Sequence, residues 1–186
     1  MRLLLVGDPH ATPDSLEECG KLMEFVLETV KSKAVDRIVI LGDLHHCHAL
    51  VRVEVTHFWK QWMEKLSVGG CSDVVLLVGN HDMPGNASGD PLIHALVSYK
   101  GTEDGVWVVE EPVVFSEPVL YMPYYFDPEK FVSDANANPV AIILCHQTFC
   151  GAKYENNFPA VDGVDPDKIN APLIISGHPY AAAIGR

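Results

Sequence analysis

Five short apolar runs in this chain each stop at residues able to handle metals or protons, and that recurrence limits the fold more than any other feature. Side by side they read LLLVGDPH from residue 3, IVILGDLHH from 38, VVLLVGNHD from 74, AIILCHQ from 141 and LIISGHPY from 173. Runs this short, bounded by Gly, Asp and His, read as strands buried on both faces. In open α/β sheets the loops after the carboxyl ends of the strands converge on one crevice. Polar residues placed at five such ends therefore meet in space, although they are scattered from Asp8 to His178.

The segments between the runs supply helices. Leu16, Cys19, Leu22, Met23, Val26 and Val30 recur at helical spacing, and Asp14 with Glu17, after Pro13, matches a capping box. From about 51 to 66, Val51, Val55, Phe58, Trp59, Trp62, Met63 and Leu66 repeat the same period, as a helix face packed on a sheet does. Strand, helix, strand, helix, strand with short connections predicts a right-handed parallel α/β arrangement. A loop over 83–90 and a short helix near 91–99 follow. Val106–Val109, Val113–Phe115 and Val119–Tyr121 then read as hairpin strands broken by Glu-Pro pairs. Parallel order resumes at Ala141–Leu144 and Leu173–Ile175. Without an internal repeat or a dividing linker, residues 1–186 are expected to form one domain.

Composition narrows the setting. A chain 48% hydrophobic and 20% charged is that of a globular protein. Its apolar runs are too short to span a bilayer, and Gly7 and Asp8 interrupt the amino terminus before a signal core forms. Five cysteines without framework spacing suit a reducing compartment. The expectation is a cytoplasmic protein with no membrane partner. A net charge of −12 argues against the basic face with which most nucleic-acid binders neutralise phosphates, and two divalent cations raise it only to −8 (−12 + 4).

The donor types at the strand ends point to metal chemistry. Carboxylate, imidazole and amide oxygen suit manganese, iron or zinc, whereas a thiolate set would indicate structural zinc or an iron–sulfur cluster. About six donors are too many for one catalytic ion with an open position, and suit two ions sharing a carboxylate.

The ordered set Asp8-x-His10, Gly42-Asp43, Gly79-Asn80-His81-Asp82, His146 and Gly177-His178 closely resembles the calcineurin-like metallophosphoesterase superfamily, whose pattern runs D-x-H, GD, GNHD or GNHE, H, GH-x-H. Within it, Gly42-Asp43-Leu44-His45-His46 looks like the GD-L-F-H variant of SbcD-type DNA repair nucleases. His146-Gln147-Thr148-Phe149 is similar to versions in phage and bacterial members of that branch. The resemblance implies an α/β fold, the four-layer α/β/β/α metallophosphoesterase sandwich, incomplete at its C-terminus and without a capping domain. It implies two divalent metal ions, foremost manganese, with iron, zinc or magnesium as alternatives. Asp8 and His10 would bind the first ion, Asp43 would bridge, and Asn80, His146 and His178 would bind the second. His81 would protonate the leaving oxygen as general acid, His46 would help place the phosphate, and a water activated by both ions would attack. The implied substrate is DNA, with a SbcC-like coiled-coil ATPase and a second copy of the chain as partners. The chain departs from the pattern at Tyr180, where the family's last histidine completes the first metal site.

Two other readings stand beside this one. A small-molecule phosphodiesterase or phosphatase of the same superfamily fits the acidic charge, and a metal-depleted fold used as a binding scaffold fits Tyr180. Among His45, His46, Cys47 and His48, one functional histidine and two bystanders are expected, because contiguous residues seldom wrap one ion. Cys145 and Cys150 read as small packed residues, His57 and His94 as structural or solvent-facing, and Tyr121–Phe126 as core packing or rim support.

Overall fold

The computed structural model describes residues 1–48, 50–71, 73–85, 93–154 and 157–178, together with the backbone of 182–185. Strands β1 (Leu3–Val6), β2 (Arg37–Ile40), β3 (Asp73–Leu77) and β4 (Val106–Val109) form a four-stranded parallel sheet in that order. A second, five-stranded sheet runs β5 (Val113–Val114), β6 (Val119–Met122), β7 (Ile142–Cys145), β8 (Leu173–Ser176) and β9 (Ala182–Gly185). Its central strands β6, β7 and β8 are parallel, and β5 and β9 pair antiparallel at the edges.

The two-residue period of a strand distributes its side chains between layers. Ile38 and Ile40 on β2 pack with Met23 and Val26 of α1 (Leu16–Lys33) and with Trp59 and Met63 of α2 (Val53–Ser67). Val39 and the following Leu41 belong instead to the cluster between the sheets, with Val75, Leu77, Tyr121 and Leu144. The far face of the second sheet, through Leu120, Ile143 and Cys145, packs on Phe131 and Ala135 of α3 (Pro128–Ala137). The result is the expected α/β/β/α order of layers. Each fully buried Leu, Ile or Val contributes roughly 1.5–3 kcal/mol, so both sheets depend on being covered on two faces.

At the amino end of β2 an ionic clamp ties the sheets together. The Arg37 guanidinium donates to Asp73 Oδ2 at 2.9 Å and to the Glu117 carboxylate, and its carbon lies 4.6 Å from the Phe115 ring centre. Tyr121 donates its hydroxyl proton to Glu117 Oε1 at 2.6 Å, completing the cluster.

Four local expectations are corrected. The helical start is capped by Thr12 and Ser15, not by Asp14 and Glu17. Thr12 accepts from the Ser15 N–H and Ser15 Oγ accepts from the Thr12 N–H, around a short 3-10 turn at Pro13–Ser15. Pro13 decides this, since its fixed φ and missing N–H favour the first helical position and put the cap one residue earlier. Leu22 is on the solvent side of α1, 38% exposed, while Cys19, Met23, Val26 and Val30 form the buried stripe. Val106–Val109 is not a hairpin strand; it is β4, parallel to β3 in the first sheet. Of the three expected hairpin strands, Val113–Val114 and Val119–Met122 pair antiparallel with each other. The short helix near 91–99 is a 3-10 helix at Ala95–Tyr99. No helix among the described residues is long and apolar enough to cross a membrane.

Candidate metal centre

The carboxyl ends of β1, β2, β3, β7 and β8 lie side by side, and the residues that follow them turn inward together. After β2 the chain passes through Gly42 and Asp43 at φ of 106° and 51°, and after β1 it passes through His10 at φ of 45°. Left-handed backbone costs little at glycine but is uncommon elsewhere, and it clusters where surrounding contacts impose it. Here the contacts are explicit: His10 N–H donates to the Asp43 carbonyl at 2.9 Å, and Ala11 N–H to the Leu44 carbonyl at 3.0 Å. Gly42 also makes room for a neighbour, because a Cβ there would overlap the His146 ring. A Cβ on Gly79 would overlap Asp43.

Asp43 is the hub and is fully buried. Its Oδ1 accepts the His81 backbone N–H at 2.9 Å, while Oδ2 stands 3.2 Å from His146 Nε2 and 3.4 Å from His10 Nε2. His146 Nδ1 lies 2.6 Å from the Leu41 carbonyl. A carbonyl only accepts, so Nδ1 carries the proton and Nε2 of the neutral ring offers a lone pair. That lone pair faces Asp43 Oδ2 and, at 2.9 Å, Asn80 Oδ1. Acceptors thus converge with no donor between them unless His146 takes a second proton. Asp8 Oδ1, 3.5 Å from His146 Nδ1, and Asp43 Oδ2 are both buried without a hydrogen-bond partner.

Electrostatics express the same conflict. Burial pushes the Asp8 carboxyl up to about 7, with His146 pulling the other way and the Asp43 charge adding to the rise. Burial also works against the Asp43 carboxylate, yet His146, the His81 N–H and His10 hold it down at about 2. For His146 burial disfavours the charged ring, but Asp43 and Asp8 outweigh it and push the ring above its ordinary value. Burial and His146 drive His178 down to about 4, and burial lowers His10 as well.

Orphaned carboxylate oxygens and a lone pair aimed at them fit a bound cation, which would satisfy each of them at once. One ligand atom each from Asp43, His146 and His178 lie within 4.8 Å of one another, with Asn80 against His146. This is the group expected at the second ion. Of the residues expected at the first, His10 approaches Asp43 and Asp8 approaches His146, but the second compact group is His10 with His46 and His81. Tyr180 lies outside the described residues.

The structure also brings in residues that the sequence reading treated as bystanders. His48 stacks on His81 with ring centres 3.9 Å apart, and its Nδ1 lies 2.9 Å from the Asn80 carbonyl. His45 is buried, its Nδ1 3.0 Å from Asp82 Oδ1 and its Nε2 3.0 Å from the Tyr99 hydroxyl, while Asp82 Oδ2 accepts the Gly79 N–H at 3.0 Å. Asp82 and His45 therefore brace the loop that carries Asn80 and His81. Ser176 bonds both the N–H and the carbonyl of Gln147, fixing the turn beyond His146. Cys145 is fully buried, and burial pushes its thiol up to about 12, as for a packed core residue. His57 is exposed, and His94 is buried against Glu110 at 2.6 Å. Tyr121 is core, and Tyr124 sits 6.3 Å from the His146 ring on the rim of a groove of about 470 Å³.

Two covered sheets whose strand ends gather carboxylates, imidazoles and an amide oxygen around a shared aspartate define an α/β/β/α protein with a candidate metal centre. The chain belongs to the calcineurin-like phosphoesterase family, whose model matches residues 1–179. Among solved structures it is similar to the nuclease MPE of Pseudomonas putida, at 17% identity and a TM-score of 0.44 over 97% of this chain and 80% of that one. No curated protein matches it.

Proposed function

We propose that the chain is a metal-dependent phosphodiester hydrolase acting on DNA, as a nuclease subunit of the SbcD type. The observation that carries the hydrolase reading is the meeting of Asp43 Oδ2, His146 Nε2 and Asn80 Oδ1, which share no donor while the His146 ring is neutral. The Gly42–His46 and His146–Phe149 motifs support DNA as the substrate, and a coiled-coil ATPase and a second copy of the chain belong to the same reading.

Asp8, His10, Asp43, Asn80, His146 and His178 would hold two divalent cations, with manganese favoured. When bound, these would neutralise phosphate charge and make a water acidic enough to attack at neutral pH. Asp43 fixes the His81 backbone through Oδ1. His81 Nδ1 donates to the His46 carbonyl at 2.6 Å, so a second proton, carried on Nε2 by the doubly protonated ring, is the one that would pass to the departing oxygen. The His46 ring, with its centre 5.7 Å from that of His81, would orient the phosphate. His48, stacked on the other ring, holds the plane of His81.

A small phosphodiester is the second reading, and one feature favours it. The groove beside Tyr124 is lined by Glu110, Glu111, Asp127 and Asp134 against a single Lys130, which repels a polyanion and tolerates a compact substrate. Manganese-dependent cleavage of linear duplex DNA should be compared with that of bis(p-nitrophenyl) phosphate, using wild type and Asp43→Asn. DNA cleavage lost in the variant supports the nuclease. Turnover of the small ester alone supports the second reading, and no turnover of either overturns both.

A further inference from the structure

The groove that adjoins the metal centre at Tyr124 has walls of two kinds. Tyr124, Tyr125 and Phe126 give it aromatic faces, while Glu110, Glu111, Asp127 and Asp134 set four carboxylates against one ammonium, that of Lys130. Its volume of about 470 Å³ falls within the roughly 300–1,000 Å³ of small-molecule sites. We propose that this groove is a subsite for an alkylammonium group, so that the preferred substrate is a zwitterionic phosphodiester with its phosphate at the centre and its cation in the groove.

Two connections tie the groove to the centre. The Tyr124 ring is 6.3 Å from that of His146, and the Tyr124 N–H donates to the Val78 carbonyl at 2.8 Å, which fixes this rim across both sheets. Met83, on the groove wall, directly follows the turn that carries Asn80 and His81. Charge then decides what the groove accepts. Glu110 is met by Lys100 and His94, and Asp134 by Lys130. No cation among the described residues pairs with Glu111 or Asp127, the latter using Oδ1 to accept the Glu129 and Lys130 N–H groups at the start of α3. Two carboxylates are thus left to attract a positive charge. The groove already seats one such group: Lys130 Nζ lies 4.8 Å from the Tyr125 ring centre and 3.0 Å from Asp134 Oδ2, so an aromatic face and a carboxylate hold it together. Phe126, 59% exposed, offers a further open ring next to Asp127. A second anion is repelled here, and a neutral alcohol gains nothing from the carboxylates.

Binding of the ammonium stands on the groove alone, whereas its use in turnover rests on the small-ester reading. Hydrolysis adds one water across a P–O ester bond and yields a phosphomonoester and an alcohol. The groove takes no part in that exchange; it holds the ester group that carries the cation.

Choline, which carries the cation without a phosphate, should be titrated in magnesium buffer into wild type, Glu111→Gln, Phe126→Ala and Lys130→Met, with binding followed by saturation-transfer NMR. Glu111 and Phe126 are exposed, so their replacement spares the fold, and circular dichroism checks this. The dissociation constant should rise at least threefold in Glu111→Gln and in Phe126→Ala, and should fall in Lys130→Met, which removes the competing internal cation. In manganese, kcat/KM of wild type for p-nitrophenyl phosphorylcholine should exceed that for p-nitrophenyl thymidine 5′-phosphate at least tenfold, and Glu111→Gln should narrow the ratio. No saturable choline binding, or the same affinity in all four proteins, overturns the proposal. Equal turnover of the two esters, or preference for the thymidine ester, overturns it as well, the latter in favour of a groove that stacks a base. Choline binding that follows the expected order without hydrolysis of any ester upholds the subsite and rejects the hydrolase reading.

Discussion

Asp43 Oδ2 and His146 Nε2 stand 3.2 Å apart across the joint between the two sheets, one residue following β2 and the other following β7. An aspartate shared between neighbours on both sides is the part of the centre with no substitute. Asp43→Asn keeps the shape and the His81 N–H contact but removes the charge. Manganese affinity by calorimetry should fall by more than the roughly 10–100-fold typical of losing an outer-shell partner. Near-normal affinity would remove Asp43 from the metal ligands.

Asp8 gives the metal-free protein a pH signature. Its carboxyl, only 13% exposed, sits at about 7 when folded against 3.8 as a free side chain, mainly because of burial. A raised acid stabilises the fold below its unfolded value, and that contribution is lost as pH rises through the folded value. Between pH 4 and 7 the urea unfolding free energy of chelator-treated wild type should therefore decline relative to that of Asp8→Asn, by up to about 4 kcal/mol. The lowered His178 and His10 act in the opposite direction over this range in both proteins, so the difference between them isolates Asp8. Asp43, held at about 2, adds nothing to this window, because its own loss of stability comes only in stronger acid.

Gly79 should be intolerant of any side chain. A Cβ there overlaps both the backbone nitrogen and the carboxylate of Asp43, neither of which can retreat. Gly79→Ala should cost about 1–3 kcal/mol by urea unfolding and should displace the Asp43 carboxylate, so that metal affinity falls together with stability. Gly85, with nothing near its Cβ position but a φ of 79°, is the control in which only backbone strain remains.

How much of this was legible in the sequence follows from what each level of order depends on. The strand ends were legible because burial and polarity alternate abruptly there, as at Leu41, Gly42 and Asp43, and because parallel sheets place such ends together. The strand Val106–Val109 was misassigned because its apolar pattern suits either pairing. Only register with Val74–Leu77 across the sheet decides it. Thr12 was hidden behind Asp14 because both have a partner three residues on, and Pro13 breaks the tie. His48 was passed over because stacking of one ring on another leaves no periodic trace. His45 looked idle for the same reason, since its partners Asp82 and Tyr99 are distant in sequence.

Arg37 should matter for folding and not for chemistry. Its guanidinium, 9% exposed, neutralises Glu117 and Asp73 at the end of the sheets opposite the metal centre. Arg37→Ala leaves the Glu117 carboxylate buried and unpaired, and breaking such a pair typically costs about 3–5 kcal/mol. Denaturant unfolding should register the loss. Turnover per folded molecule should remain near wild type, and a large fall in it would show that the clamp reaches the centre.

The two halves of the centre come from opposite sides of a seam, with Asp43 and Asn80 before β5 and His146 and His178 after it. Severing the chain between β4 and β5 would leave each fragment with part of a constellation that means nothing alone. Recovery of metal binding by mixing the two pieces would then report directly on their reassociation, making the protein its own complementation assay.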